Sequence, residues 1–284
     1  MINILLSFFL FAIALIIGYA GSQGGPNIFS YPGLMLIASV GFFIHWLIFI
    51  PSYLLKTEKY YDITGTIAYM AMAGIAVFSS HELHLRSQIV ALLITVWALR
   101  LGLFLLVRVF QVGEDKRFHE VKTSFSRFLV WFSMSALWVF LTTANALTLI
   151  LNNDALKDDG YFFSGLIIWL IGFSMEVTAD EQKRRFRKNP RNKGQFINSG
   201  LWSISRHPNY LGEILIWLGM AVISFPVLTG WQYITLISPL FVFLLLTRVS
   251  GINLLEASSD KKWGDLKSYQ EYKEKTPVLI PFIK

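Results

Sequence analysis

The chain has 284 residues, of which 54% are apolar and only 15% charged, and its formal net charge is +7. It has no cysteine, which excludes disulfides, thiolate zinc sites, iron–sulfur clusters and a cysteine nucleophile. Several apolar runs approach or exceed the roughly 18–20 residues that cross a bilayer, so the composition describes an all-α polytopic membrane protein. The positive charge matches basic loops beside a membrane and gives no reason to expect a nucleic-acid partner.

In chain order, the hydropathy pattern predicts eight spans, at about 2–20, 33–54, 63–80, 88–110, 127–151, 161–178, 210–227 and 231–249. Seven spans would require one segment to be merged or lost. Met1 leads into an apolar run without a basic region before it, so this run reads as the first span and not as a leader. Turns at Gly24-Gly25-Pro26-Asn27, Asp158-Asp159-Gly160 and Leu228-Thr229-Gly230 separate spans. If the N-terminus is placed inside, the inner loops hold Lys56 and Lys59, then Lys116 to Arg127, then the run from Lys183 to Arg206. The C-terminal tail adds six lysines, and the outer loops hold only Arg86 and Lys157. By the positive-inside rule both termini are cytoplasmic, and the polar chemistry belongs on that side. The membrane could be a bacterial inner membrane or the endoplasmic reticulum, and no signal of oligomeric state stands out.

Polar residues inside or beside the spans are the functional candidates. Tyr61 and Asp62, before the third span, read either as an aromatic anchor with Asp62 as helix N-cap or as a proton-donating pair. Arg100 and Arg108 share a helical face, and His45 and Asn145 read as hydrogen-bonded core residues. The loop Gly113-Glu114-Asp115-Lys116-Arg117-Phe118 reads as solvated charge or as a motif. His81-Glu82-Leu83-His84 lacks the i, i+4 histidine pair of a metalloprotease helix, and no metal is expected. At the end of span six, Glu176, Asp180, Lys183, Arg184 and Arg187 fall on one face. They fit either lipid head groups or a polyanion.

The densest stretch is 196–213, Phe-Ile-Asn-Ser-Gly-Leu-Trp-Ser-Ile-Ser-Arg-His-Pro-Asn-Tyr-Leu-Gly-Glu. Pro208 suits the first turn of a helix, which sets Arg206 and His207 just before an N-terminus that favours anions. Asn209 and Glu213 share a face of that helix. No G-x-G-x-x-G follows a predicted strand, so any nucleotide site must be built from helix ends and loops. Basic side chains over 184–206, together with Arg248, suit the phosphates of NADPH better than the cationic sulfonium of S-adenosylmethionine.

The run Gly-Leu-Trp-(x)3-Arg-His-Pro-Asn-Tyr-x-Gly-Glu resembles the signature of membrane-embedded reductases of the steroid 5α-reductase and sterol reductase group, from Ala179 to the Leu-Ile-Pro-Phe ending. Its Arg-His-Pro-x-Tyr-x-Gly element is similar to isoprenylcysteine and phospholipid methyltransferases as well. The reductase resemblance implies NADPH and reduction of a C=C bond in a lipophilic steroid- or isoprenoid-like substrate. It also implies cofactor contacts from Asp180, Arg184, Arg187, Trp202, Arg206, His207, Asn209, Tyr210, Glu213, Arg248 and Tyr272. Residues 1–178 would then form the substrate side and 179–284 the cofactor side, with the tail from Trp263 as a cover. Steroid 5α-reductases carry a Gln-Glu pair after a Trp where Trp46 to Ser52 here has Phe49 and Ile50, so the proton donor must differ, and Tyr61 with Asp62 are the candidates. A lipid or prenyl-cysteine methyltransferase is the alternative, and a non-catalytic lipid-binding or transport protein the third class.

Overall fold

The computed structural model describes residues 1–80, 82–112, 118–154 and 159–283. The motif at Gly113–Arg117, His81, Lys157 and the Arg108 side chain lie outside the described residues. Eight helical segments are long and apolar enough to cross a membrane, the number the hydropathy pattern predicts, and the chain is an integral multi-pass membrane protein. Its only described strands are two-residue pieces, Asn27–Ile28 and Tyr31–Pro32, paired antiparallel.

The chain forms two compact units: residues 1–162 with 224–238, and residues 163–223 with 239–284. The first contains helices α1 (Ile2–Gly21), α2 (Gly33–Leu54), α3 (Tyr61–Phe78), α4 (Leu85–Val112) and α5 (Phe125–Asn152). α5 packs against all four others and is buried along most of its length. Such burial in a polar-poor medium demands that hydroxyls find partners close by. Thr143 and Thr148 accordingly donate to the carbonyls of Val139 and Ala144 in the preceding turn, and Thr142 meets the Tyr69 hydroxyl at 2.8 Å. His45 is fully buried, with Nδ1 2.8 Å from the Gly41 carbonyl and Nε2 3.1 Å from Ser135 Oγ, as expected of a satisfied core histidine. Asn145 departs from that expectation. It is fully buried, yet neither amide atom has a hydrogen-bond partner among the described residues.

The second unit is built on α6 (Gly160–Lys188, from residue 163 on) and α7 (Pro208–Ser224). These helices touch backbone to backbone. A Cβ on Gly172 would lie 2.6 Å from the Gly212 carbonyl, and one on Gly219 would lie 2.7 Å from the Gly165 carbonyl. Small residues at such crossings let dispersion contacts replace the hydrophobic effect, which is weak in lipid. α6 outruns the predicted span end at residue 178 and carries the charged stripe out as one continuous helix.

The final span is less regular than the hydropathy pattern implies. It runs as a 3-10 segment Gly230–Leu236, α8 (Ile237–Leu244) and a π-helical turn Leu245–Val249. At Gly251, just past the π-helical turn, a Cβ would sit 2.1 Å from the Leu246 carbonyl, so only glycine fits there before α9 (Ile252–Trp263) and α10 (Lys267–Lys275). This close approach has no hydropathy signature, and only the glycine marks it.

Candidate cofactor site

Within the second unit, the loop 196–207 is held in place from both sides by bonds that its own sequence supplies. Trp202 Nε1 donates to the Ala179 carbonyl at 3.0 Å, and the Leu201 amide donates to Gln182 Oε1 at 2.9 Å, so the loop lies against α6. From the other side, the Tyr272 hydroxyl donates to the Trp202 carbonyl at 2.6 Å. The Arg206 amide donates to the Pro277 carbonyl at 2.9 Å, and Ser205 Oγ to the Leu279 carbonyl at 2.7 Å. Pro208 then starts α7, as its missing N–H and fixed φ predict.

These contacts enclose a cavity of about 290 Å³. One wall is aromatic: Phe196 packs against Trp263, Tyr269 and Tyr272 at centroid separations of 6.0, 5.1 and 5.4 Å. Another is cationic, from Lys183, Arg187 and Arg206, with Lys183 Nζ 4.3 Å from the centre of the Trp202 ring. Lys183 and Arg187 are one helical turn apart, so α6 presents both to the cavity.

A single carboxylate, Glu256 from α9, lies among these cations. His207 Nε2 is 2.9 Å from Glu256 Oε1, and Arg206 Nη1 is 2.7 Å from Glu256 Oε2. The Arg206 contact is an ion pair, and the buried Arg206 Nε has no hydrogen-bond acceptor among the described residues. Lys273 bridges Glu256 at 3.8 Å and Asp260 at 2.7 Å, and the Tyr269 hydroxyl donates to Asp260 at 3.2 Å. Burial pushes the His207 pKa below its ordinary value, against the opposing pull of Glu256. Burial and the nearby acids Glu256 and Asp260 push Tyr269 up to about 12, and burial raises Tyr272 as well. Both phenols are therefore protonated donors at neutral pH.

Of the residues singled out in the sequence, Arg187, Trp202, Arg206, His207 and Tyr272 line the cavity together. Asp180, Asn209 and Tyr210 stand directly behind them. Asn209 Nδ2 donates to Asp180 Oδ1 at 3.3 Å, and the Tyr210 ring stacks on His207 at 5.7 Å. Glu213, half-buried one turn further along α7, does not line it. Arg184 points away because Glu181 holds its Nε at 2.6 Å and Nη2 at 2.8 Å on the exposed face of α6. Arg248 is exposed in the π-helical turn and likewise does not line the cavity.

Tyr61 and Asp62 belong to the first unit. α3 begins at Tyr61 with Tyr60 as its N-cap, so Asp62 sits inside the first turn and is not the cap. The Tyr61 hydroxyl donates to the Trp131 carbonyl at 3.1 Å, and its ring packs on Phe118 and Phe132. Among the residues missed by the sequence, Glu256 matters most. It lies 49 positions beyond His207, and no local spacing marks it.

A phosphorylated nucleotide fits this donor set. Arg206 offers a buried Nε–H without an acceptor among the described residues, Lys183 and Arg187 add charge, and the aromatic wall suits a planar ring. The volume is at the lower edge of small-molecule sites, enough for part of a dinucleotide.

Fold and site together define a multi-pass helical membrane protein with a cavity lined by basic and aromatic side chains. Over residues 48–276 the chain matches, and belongs to, the family described as "Protein of unknown function (DUF1295)". It is also similar to the 3-oxo-5-alpha-steroid 4-dehydrogenase 1 of Bos taurus, 27% identical over 130 residues, 46% of this chain and 45% of that one. The Delta(14)-sterol reductase of Arabidopsis thaliana is 35% identical over 74 residues, 22% of this chain and 20% of its own. The Probable O-methyltransferase ustE of Ustilaginoidea virens is 38% identical over 64 residues, 22% of each chain. The kinship with steroid 5α-reductases and sterol reductases that the motif implied is thus present. The chain spans less than half the length of these curated relatives. No solved structure matches.

Proposed function

We propose that this protein is an NADPH-dependent oxidoreductase of the membrane that reduces a C=C bond in a lipophilic, steroid- or isoprenoid-like molecule. The observation that carries the reading is the cavity of about 290 Å³ where Arg206 holds a buried Nε–H without an acceptor among the described residues, beside Lys183, Arg187 and an aromatic wall. Arg206, Lys183 and Arg187 bind phosphate, by charge-assisted and partly bidentate contacts. Trp202, Tyr272 and Phe196 form the walls that hold a planar ring and exclude water. Asp180, Asn209, Tyr210 and Glu213 support or extend the site along α6 and α7, and the basic loops set it on the cytoplasmic side, where both termini lie. NADPH supplies the hydride, and a proton must reach the adjoining carbon. Tyr61 with Asp62 is the proposed source of that proton, which requires the phenol to exchange the Trp131 carbonyl for a substrate oxygen.

The similarity to a named O-methyltransferase favours one second reading, methyl transfer from S-adenosylmethionine to a lipid acceptor. Titration of the purified protein in detergent separates the two. NADPH fluorescence enhanced on binding, with no competition from S-adenosylmethionine, supports the reductase. Binding of S-adenosylmethionine alone replaces it with the transferase, and binding of neither leaves a lipid-binding protein.

A further inference from the structure

We infer that Glu256 is the positioning residue of this pocket: it fixes which nitrogen of His207 carries the proton and aims the Arg206 guanidinium at the ligand. The inference rests on the nucleotide reading above for the identity of the ligand, but the pairing itself stands on geometry.

A carboxylate accepts hydrogen bonds and donates none. With Glu256 Oε1 2.9 Å from His207 Nε2, the proton of a neutral imidazole must therefore reside on Nε2. His207 Nδ1, which has no hydrogen-bond partner among the described residues, is then left as an acceptor at the pocket. Such a nitrogen takes a hydrogen bond from a ribose hydroxyl or a carboxamide N–H, and it could not do so in the other tautomer. The second carboxylate oxygen holds Arg206 Nη1 in an ion pair at 2.7 Å, so the guanidinium is fixed in place while its buried Nε–H has no acceptor among the described residues. Glu256 is itself held by Lys273 at 3.8 Å, and the Tyr210 ring, 5.7 Å from His207, fixes the imidazole plane from behind. One acid thus orders two side chains that are adjacent in sequence and differ in chemistry, one a cation and one a neutral acceptor.

The sign of the substitution effect separates this role from a bystander's. Removing a negative charge beside an anion site should tighten binding if the charge only repels the ligand. Loss of positioning weakens it. Glu256→Gln also frees His207 to adopt either tautomer, since a Gln side chain both donates and accepts.

The test uses the full-length protein in detergent, labelled with 15N-histidine at pH 8, with the His207 signal assigned by its loss in His207→Gln. The expected result is an Nε2–H imidazole in the native protein and a mixture of tautomers in Glu256→Gln. NADPH affinity should fall at least tenfold in Glu256→Gln and further in Glu256→Ala. Glu256→Asp should recover part of it, and Glu274→Gln, an exposed acid on α10, should match the native protein. An Nδ1–H tautomer in the native protein overturns the inference, and so does unchanged or tighter NADPH binding by folded Glu256→Ala. If the native protein binds no NADPH, the functional reading fails, and the tautomer measurement still decides what Glu256 does.

Discussion

The two units handle buried polarity differently. In the first, the hydroxyls answer neighbours of their own helix or a facing hydroxyl, with the Asn145 amide as the exception: Thr143 and Thr148 bond one turn back, and Tyr69 meets Thr142. Nothing in these bonds needs a ligand. In the second, charged groups from α6, the 196–207 loop, α9 and α10 converge from far apart in sequence, and the Arg206 Nε–H is buried without an acceptor among the described residues. Hydroxyls bonded within their own helix hold a fold together in lipid, whereas charges gathered around a cavity give an anion somewhere to bind.

The contrast can be broken first at the backbone contact that sets the second unit. Gly172→Leu places a side chain where the Gly212 carbonyl lies 2.6 Å from the Cβ position, and α6 and α7 must separate. Overpacking typically costs about 1–3 kcal/mol, and a backbone obstacle sits at the upper end or beyond. The thermal midpoint in detergent should drop by many degrees, together with loss of NADPH binding. A native midpoint would mean that the two helices are not in backbone contact.

Next in size is the pocket wall. Trp202→Ala removes a buried ring, its bond to the Ala179 carbonyl and the surface under Lys183, a loss of about 3–5 kcal/mol by analogy with buried aromatic truncations. Chemical denaturation should register it, with the 196–207 loop becoming protease-sensitive before the first unit does. Simultaneous cleavage in both units would argue against that order.

Smaller effects follow from protonation and from the first unit. The folded state holds His207 below its ordinary pKa of 6.5, so the unfolded chain binds the proton more readily. The stability this confers is complete above about pH 6.5 and is lost as pH falls through the folded value. Native protein should therefore lose more stability than His207→Gln between pH 7 and pH 5, and parallel curves would assign the acid sensitivity to other groups. Thr143→Val, in the first unit, should cost only about 0.5–1.5 kcal/mol, since one hydroxyl-to-carbonyl bond within a helix is all it breaks. It should leave NADPH binding untouched.

What was legible in the sequence was what local chemistry dictates. Eight apolar runs gave eight membrane-length segments, Pro208 opened α7, and the spacing of Lys183 and Arg187 brought both to one cavity. The same spacing misgrouped Arg184, because a periodicity argument ignores the competing acid at Glu181 three residues back. Asp62 looked like an N-cap because it is the residue type that caps, yet the N-cap of α3 is Tyr60, two residues earlier. Glu256 and the π-helical turn carrying Arg248 were invisible for a different reason. Both flank Gly251, a close approach of backbone to backbone that leaves one glycine and no pattern.

The central claim is that the second unit's pocket binds a phosphorylated nucleotide through Arg206. It is tested most directly by titrating NADPH into native, Arg206→Ala and Arg184→Ala proteins side by side. Arg206 should contribute charge-assisted hydrogen bonds worth about 1.5–3 kcal/mol, so its loss weakens binding by roughly tenfold or more. Arg184, engaged by Glu181 on the exposed face of α6, should be dispensable, and its variant should titrate like the native protein. Equal losses in the two variants would make the effect one of overall charge at the membrane surface, and native affinity in Arg206→Ala would contradict the assignment of the pocket.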